Sequence, residues 1–372
     1  MKVAVIKLGA RIAFDSNSTS GGTGEAMSIC DMLQRGGANV NIFTKILKKD
    51  KLVEPYVWNN IAEESTNDGL KQCEALVVLN GTVNFFGGAE DYEQLLNYKI
   101  INEFHGPIFY ILCDPELTLR QIWPSVSKKE WGSKWSEDAI SIKRNDIIFL
   151  MQPHDTEKVL SALNKNEIVP KKAIHFPFEQ FPCLNDSLPF NESPSVDLSY
   201  GGTMRNGRRV KKMVKFYFGH NSLNVEMFGK IALDDFDSKL TFGLTTPTFS
   251  GPVRYDLMLP KMNDTVAHCV IGDPWYEEIN DIPQRLYESI QSGAITFVDN
   301  DMDKARRVWK NDPLLGDFLY VNDRQELAEK ITLVKSDVSL RKQIYKNQLE
   351  CIAFDPAKYC SSFVDLINSN LK

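Results

Sequence analysis

No Cys-x-x-Cys pair occurs anywhere in this sequence. Its seven cysteines (Cys30, Cys73, Cys113, Cys183, Cys269, Cys351 and Cys360) are odd in number and scattered. Neither a disulfide framework nor a thiolate zinc site is indicated, and a reducing cytosol is the expected compartment. Long apolar runs are missing too: Asp15, Lys45 and Asp50 interrupt the early hydrophobic segments, which excludes a membrane span there. The opening Met1-Lys2-Val3-Ala4-Val5-Ile6-Lys7 stops after four apolar residues, the length of a strand and too short for the core of a signal peptide. Positive charge is in deficit. With 43 Lys and Arg against 49 Asp and Glu the net charge is -6, which excludes a simple basic protein that coats nucleic acid and still permits a local basic cleft. There is no lysine-bearing Walker pattern, no internal repeat and no low-complexity segment. The histidines at 105, 154, 175, 220 and 268 lack ligand spacing and are read as structural. Asp235-Phe236-Asp237 and Asp299-Asn300-Asp301 match a short acidic pattern that can bind a metal–nucleotide, but such triplets arise often by chance, and no metal site is assigned.

What is present is the balance of a folded protein, 43% hydrophobic and 25% charged over 372 residues, enough for two domains. Short β-rich runs alternate with helical ones. Val3–Leu8 reads as a strand and Ser16 to Gly24 as a polar loop. Glu25–Arg35 reads as a helix stopped by Gly36-Gly37, and Val40–Phe43 as the returning strand of a βαβ unit. Ala75–Leu79, Pro107–Leu112 and Ile147–Leu150 continue as strands, with a helix over Tyr92–Phe104. Pro177, Pro182, Pro189 and Pro194 punctuate a linker. Beyond it the alternation restarts: strands at Asp197–Tyr200, Val225–Phe228, Ala267–Ile271 and Ala294–Val298, helices at Arg209–Phe218 and Pro283–Gln291, and a helical tail from Arg324. This is an α/β pattern of two parallel sheets, expected to face each other across a cleft, with ligands at the carboxyl ends of the strands.

Residues suited to chemistry fall just after those strands. Gly201-Gly202-Thr203-Met204-Arg205-Asn206-Gly207-Arg208-Arg209 leads into a helix. Glycines permit close approach of an anion, a helix start attracts it, and guanidinium groups grip phosphate oxygens, so the segment is either a diphosphate clamp or a solvated basic turn. Arg285 and Glu288 share one helix face three residues apart; the carboxylate could accept ribose hydroxyls, or the two could form a surface ion pair. Asp114 ends an apolar strand where an α/β enzyme places a general base, yet Pro115-Glu116 also suits a helix cap; Glu25 is similarly ambiguous. Asn84-Phe85-Phe86 beside Gly87-Gly88 offers aromatics for stacking on a base, or a loop anchored in a core. Lys128, Lys129 and Lys134 interleave with Trp123, Trp131 and Trp135, either a nucleic-acid groove or an ordinary solvated face.

Three runs, Leu79 to Gly88, Tyr200 to Arg209, and Ile271-Gly272-Asp273 through Arg285 and Glu288, together with Phe176-Pro177-Phe178-Glu179-Gln180, resemble the phage DNA β-glucosyltransferases in order along nearly the whole chain. The resemblance implies the GT-B architecture: two Rossmann-like domains and a C-terminal helix crossing back to the first. The N-terminal acceptor domain would span 1–185, completed by 355–372, and the UDP-sugar domain 190–354. It implies inverting transfer of a sugar, glucose first, from a UDP-sugar to 5-hydroxymethylcytosine in duplex DNA, with base flipping. Asp114 would be the catalytic base and Glu25 a carboxylate near the sugar. Arg205 and Arg209, with Gly202, would hold the diphosphate. Asp273, Tyr276 and Glu179 would stand on the donor side, Arg285 at a phosphate and Glu288 at the ribose. Asn84, Phe85 and Phe86 would meet the flipped base. Mg2+ or Mn2+ could assist product release, and a monomer in the host cytoplasm is expected. The chain departs from the family at Pro252, where the family has a lysine near the uracil, and at Pro115-Glu116-Leu117, which replaces a basic-apolar run. Alternatives that stay open are another donor such as UDP-arabinose, a non-DNA acceptor, and an inactive nucleotide- or DNA-binding module.

Overall fold

A strand buried on both faces needs a continuous apolar run, and Val3-Ala4-Val5-Ile6, each without measurable exposure, is one. The computed structural model describes residues 1–6, 21–44, 57–60, 66–79, 100–112, 146–152, 154–165, 171–203, 209–272, 276 and 279–371. They divide into two compact units, Met1–Phe181 with Asp355–Lys372, and Pro182–Phe354.

The first unit is built on a seven-stranded sheet. Its strands are β1 (Lys2–Ile6), β2 (Asn39–Thr44), β3 (Val57–Asn60), β4 (Ala75–Val78), β5 (Ile108–Leu112), β6 (Ile148–Met151) and β7 (Lys172–His175), in the order β3-β2-β1-β4-β5-β6-β7. Every pairing is parallel; Val3 sits opposite Val40 on one side and Ala75 on the other. The Gly21–Arg35 helix buries Ala26, Ile29, Cys30 and Leu33, spaced three and four apart, on one face. Its end follows from Gly37, at φ 91°, with Ala38 N–H bonded to Leu33 O and Gly37 N–H to Gln34 O. The last helix, Pro356–Asn368, starts where the Asp355 carboxylate accepts the N–H groups of Ala357 and Lys358. It belongs to this first unit: Phe363 packs on Phe176 and Phe178, and Tyr359 donates its hydroxyl to Pro177 O at 2.7 Å.

The second unit carries a six-stranded sheet, also parallel throughout. It comprises β8 (Val196–Thr203), β9 (Val225–Lys230), β10 (Thr248–Phe249), β11 (Thr265–Val270), β12 (Ile295–Asp299) and β13 (Tyr320–Val321), in the order β10-β9-β8-β11-β12-β13. The helices Val210–Tyr217, Arg285–Gln291, Arg324–Ser336 and Val338–Ile352 supply Met213, Leu286, Leu327 and Ile344 to its core. Among the described residues no helix is long and apolar enough to cross a membrane.

Two local expectations are corrected. The first helix begins at Gly21, not Glu25, so Gly21-Gly22-Thr23-Gly24 is its opening turn and not loop, despite the weak helix preference of glycine. Likewise β8 does not end at Tyr200 but runs through Gly201 and Gly202, which pair with Phe228 and Gly229. These glycines answer to the sheet. A Cβ at Gly201 would stand 2.6 Å from the Phe228 ring, and one at Gly229 would collide with Gly202 O. The Pro-punctuated segment also holds a short 3-10 helix, Phe178–Leu184. Of the helix expected over Tyr92–Phe104, residues 100–104 are described: 100–103 are helical and Phe104 lies past the helix end.

The tightest helix crossing yields a prediction. A Cβ at Gly36 would press into the Val364 methyl and lie 2.6 Å from Cys360 O, backbone of the last helix. Gly36→Ala should therefore lower stability by about 1–3 kcal/mol in denaturant unfolding, because the last helix must retreat.

Candidate active site

In each sheet the chain runs outward from a first central strand and later returns to its other side, which creates a switch point at the carboxyl ends of β8 and β11 in the second unit and of β1 and β4 in the first. The second unit is the better described. Just past β8, Arg209 stands immediately before the Val210–Tyr217 helix and donates from Nη1 to the hydroxyl of Tyr200 at 3.1 Å. Among the described residues, that helix start has no capping side-chain hydrogen bond and no acidic residue in its first turn. Its first N–H groups have no partner within the helix, and the helix dipole places partial positive charge there. An anion is the complement such an end lacks.

Past β11, Gly272 permits close packing: a Cβ there would be 3.0 Å from both Met302 Cγ and Tyr276 Cβ. Tyr276 itself is buried in the core of this unit, with its carbonyl accepting Asp281 N–H at 2.9 Å. In the Arg285–Gln291 helix, Arg285 Nη1 lies 2.7 Å from Glu288 Oε2. The two side chains are 27% and 19% exposed, so this is a half-buried pair and not one on an open helix face. Arg285 also points Nη1 at Met262 Sδ, 3.6 Å away. A carboxylate held in place by a neighbouring guanidinium is suited to accept two vicinal hydroxyls.

Beneath this pair is a buried polar network. His268 Nδ1 lies 3.0 Å from Ser199 Oγ, and its Nε2 lies 3.1 Å from Met262 O. Thr265 Oγ1 bonds Ser199 Oγ at 3.0 Å. His268 is thus structural, as expected of the histidines.

In the first unit, Glu25 is buried on the Gly21–Arg35 helix. Glu179 is buried in the Phe178–Leu184 turn, 3.4 Å from His154 Nε2, and the His154 and His175 ring centroids lie 4.4 Å apart with the rings tilted at 39°. Sequence reasoning missed these two histidines as neighbours of Glu179, the carboxylate that the resemblance puts on the donor side. The available signal was position, for His175 ends β7 and His154 follows β6. Asp114, Asn84, Phe85, Phe86, Lys128, Lys129, Lys134, Arg205 and Asp273 lie outside the described residues. Among the described residues, no group of three or more His, Cys, Asp or Glu side chains is placed to hold a metal ion. Asp299, in one of the acidic triplets, is paired with Lys212 at 2.6 Å.

Comparison with known proteins gives these features a context. Residues 1–182 match the family model described as bacteriophage T4 beta-glucosyltransferase. Over 360 residues, 96% of each chain, the sequence is 28% identical to the DNA beta-glucosyltransferase of Enterobacteria phage T4. The crystal structure of T4 phage BGT in complex with its UDP-glucose substrate matches at TM-score 0.78 and 24% identity over the whole of both chains, which speaks for the fold. T4 phage BGT in complex with UDP and Mn2+ matches at TM-score 0.78 and 26% identity, over 99% of this chain and all of that one. Fold and relatives together define a glycosyltransferase of the GT-B class, with two parallel-sheet α/β domains. More particularly, the chain is similar along nearly its whole length to the DNA beta-glucosyltransferase of Enterobacteria phage T4, a protein of the family its sequence resembles.

The buried network sets a pH dependence. Burial pushes the His268 pKa down from 6.5 to about 4; hydrogen bonds to the Ser199 and Met262 carbonyls oppose this, and nearby Arg285 adds to it. The unfolded chain takes up this proton near pH 6.5, and the folded protein refuses it until about pH 4. The contribution is fully present above the upper value and is lost as pH falls through the window, up to about 3 kcal/mol. Thermal melts from pH 7 to 4 should show this loss, and His268→Gln should flatten it.

Proposed function

We propose that this enzyme transfers glucose from UDP-glucose to the hydroxymethyl group of 5-hydroxymethylcytosine in duplex DNA, inverting the anomeric carbon. The observation that carries the donor half is the helix start beside Arg209 at the β8–β11 switch point, without a capping side-chain bond among the described residues, with the Arg285–Glu288 pair on the Arg285–Gln291 helix. The diphosphate would sit at that helix start, held by Arg209 and Arg205 with Gly202 beneath it, while Glu288 accepts the ribose hydroxyls. Asp273 and Tyr276 would stand on the donor side; for Glu179 and Glu25, which belong to the first unit, the roles near the donor and its sugar are what the family resemblance alone implies. Similarity to T4 phage BGT, whose complexes hold UDP-glucose and UDP with Mn2+, supports the same donor class.

A base inside the duplex stack cannot reach a donor held in a protein crevice, so the modified cytosine is flipped out. Asn84, Phe85 and Phe86 would receive it, and Lys128, Lys129 and Lys134 would follow the phosphate backbone. Asp114 takes the proton from the hydroxymethyl oxygen as that oxygen attacks the anomeric carbon. The C1–O bond to UDP breaks on the opposite side, which inverts the centre. Negative charge grows on the departing diphosphate, where Arg205, Arg209 and the helix start stabilise it more than in the ground state. A divalent ion such as Mn2+ or Mg2+ would screen the charge of UDP as it leaves. The enzyme would act as a monomer in the host-cell cytoplasm.

One observation favours a second reading. A net charge of -6 is unusual for a DNA-binding enzyme and would suit a non-DNA acceptor. Duplex binding that weakens steeply with salt is expected if the first reading holds.

Two variants separate the roles. Asp114→Ala should lower turnover about 100-fold or more with UDP affinity little changed, by steady-state kinetics and calorimetry. Near-native turnover would remove Asp114 from the chemistry. Arg205→Ala combined with Arg209→Ala should weaken UDP binding about 10- to 100-fold. Unchanged affinity would place the clamp elsewhere.

A further inference from the structure

One ion pair ties together the carboxyl ends of strands on either side of β11. Lys212, in the first turn of the Val210–Tyr217 helix, places Nζ 2.6 Å from Oδ2 of Asp299, the last residue of β12. Asp299 is 1% exposed and Lys212 19%. The other oxygen of Asp299 accepts the N–H of Asp301 at 3.3 Å, and its carbonyl accepts that of Met302 at 2.9 Å. Met302 in turn presses on Gly272. The turn after β12 therefore braces both segments of the switch point, the helix that follows β8 and the backbone that follows β11.

The charges around this helix start need that brace. Arg209, Lys211 and Lys212 crowd its positive end, and no acidic residue of the first turn offsets them. A buried ion pair is a weak source of net stability, because desolvation consumes most of the attraction. Nor does a lysine already neutralised by a carboxylate add much pull on an anion. What the pair can supply is geometry.

We infer that Lys212 and Asp299 are a positioning pair for the diphosphate site. Their bond pins the first turn of the helix, and with it Arg209 and the open N–H groups, against the turn after β12. Neither residue touches the donor; both act through the helix start. The inference rests on the reading that the donor's diphosphate binds there.

Uridine carries the base and ribose of UDP but no phosphate, so the two ligands separate positioning of the clamp from general loosening of the unit. Lys212→Met should raise the UDP dissociation constant about tenfold by calorimetry, while uridine affinity by ligand-observed NMR stays within about twofold. Lys212→Arg should restore UDP binding. Asp299→Asn should match Lys212→Met, and Lys212→Met with Asp299→Leu should lose no more than either alone. Should Lys212→Met not fold, Asp299→Asn, which removes the charge and keeps the shape, carries the same comparison. Folded variants with unchanged UDP affinity would overturn the inference, as would equal weakening of UDP and uridine. Native protein that binds no UDP at all would sink the donor reading, and this inference with it.

Discussion

The candidate site of the second unit depends on one constraint: a sheet whose neighbouring strands all run parallel must be covered on both faces, so its polar chemistry is confined to its ends. The core strands β8, β11 and β12 are buried along most of their length. The chain can present cations and carboxylates only where these strands stop. The order β10-β9-β8-β11-β12-β13 then selects one place among those ends, because a reversal of strand order is where sheets of this kind open a gap. Arg209, Gly272 and the turn after Asp299 are all consequences of that arrangement.

Electrostatics at that gap run against the ordinary preferences of a helix. Helix starts favour acidic and hydroxyl side chains; this one has arginine before it and lysines inside it. The cost is tolerable if a substrate supplies the missing negative charge, and it is contained in the free protein by Asp299. The Arg285–Glu288 pair follows the same logic. Partly withdrawn from water, each charge needs the other until a ligand arrives. Neutral His268 below them avoids adding a third buried charge near Arg285. Both helix segments therefore hold their charged groups in fixed positions before any donor binds, which is where electrostatic stabilisation of a leaving diphosphate would come from.

Much of this architecture was legible in the residues. Parallel strands announce themselves as unbroken apolar runs, and Val3–Ile6 and Ile108–Leu112 are such runs. Edge strands were not anticipated. Thr248–Phe249 and Tyr320–Val321 are two residues long, and Lys172–His175 is exposed at both ends, so none carries an apolar signature. A glycine that lets a loop approach an anion and one that lets two strands approach each other look identical in sequence. Gly201, against the Phe228 ring, is of the second kind. Pairings across long separations were invisible as well. Lys212 and Asp299 are 87 residues apart, and Asp299 had been seen only as part of an acidic triplet. The pairing of Glu179 with His154 needed the carboxyl ends of β6 and β7 to be brought together.

The central claim is the reaction itself, and nucleoside mass spectrometry tests it most directly. Duplex DNA containing 5-hydroxymethylcytosine, with an unmodified cytosine control, is incubated with the enzyme and a panel of UDP-sugars, then digested to nucleosides. The account predicts a hexose mass added to the hydroxymethylated base alone, with UDP-glucose as donor. A pentose mass from UDP-arabinose would keep the acceptor and change the sugar. No added mass with any donor, despite measurable UDP binding, would contradict the account by moving the acceptor off DNA.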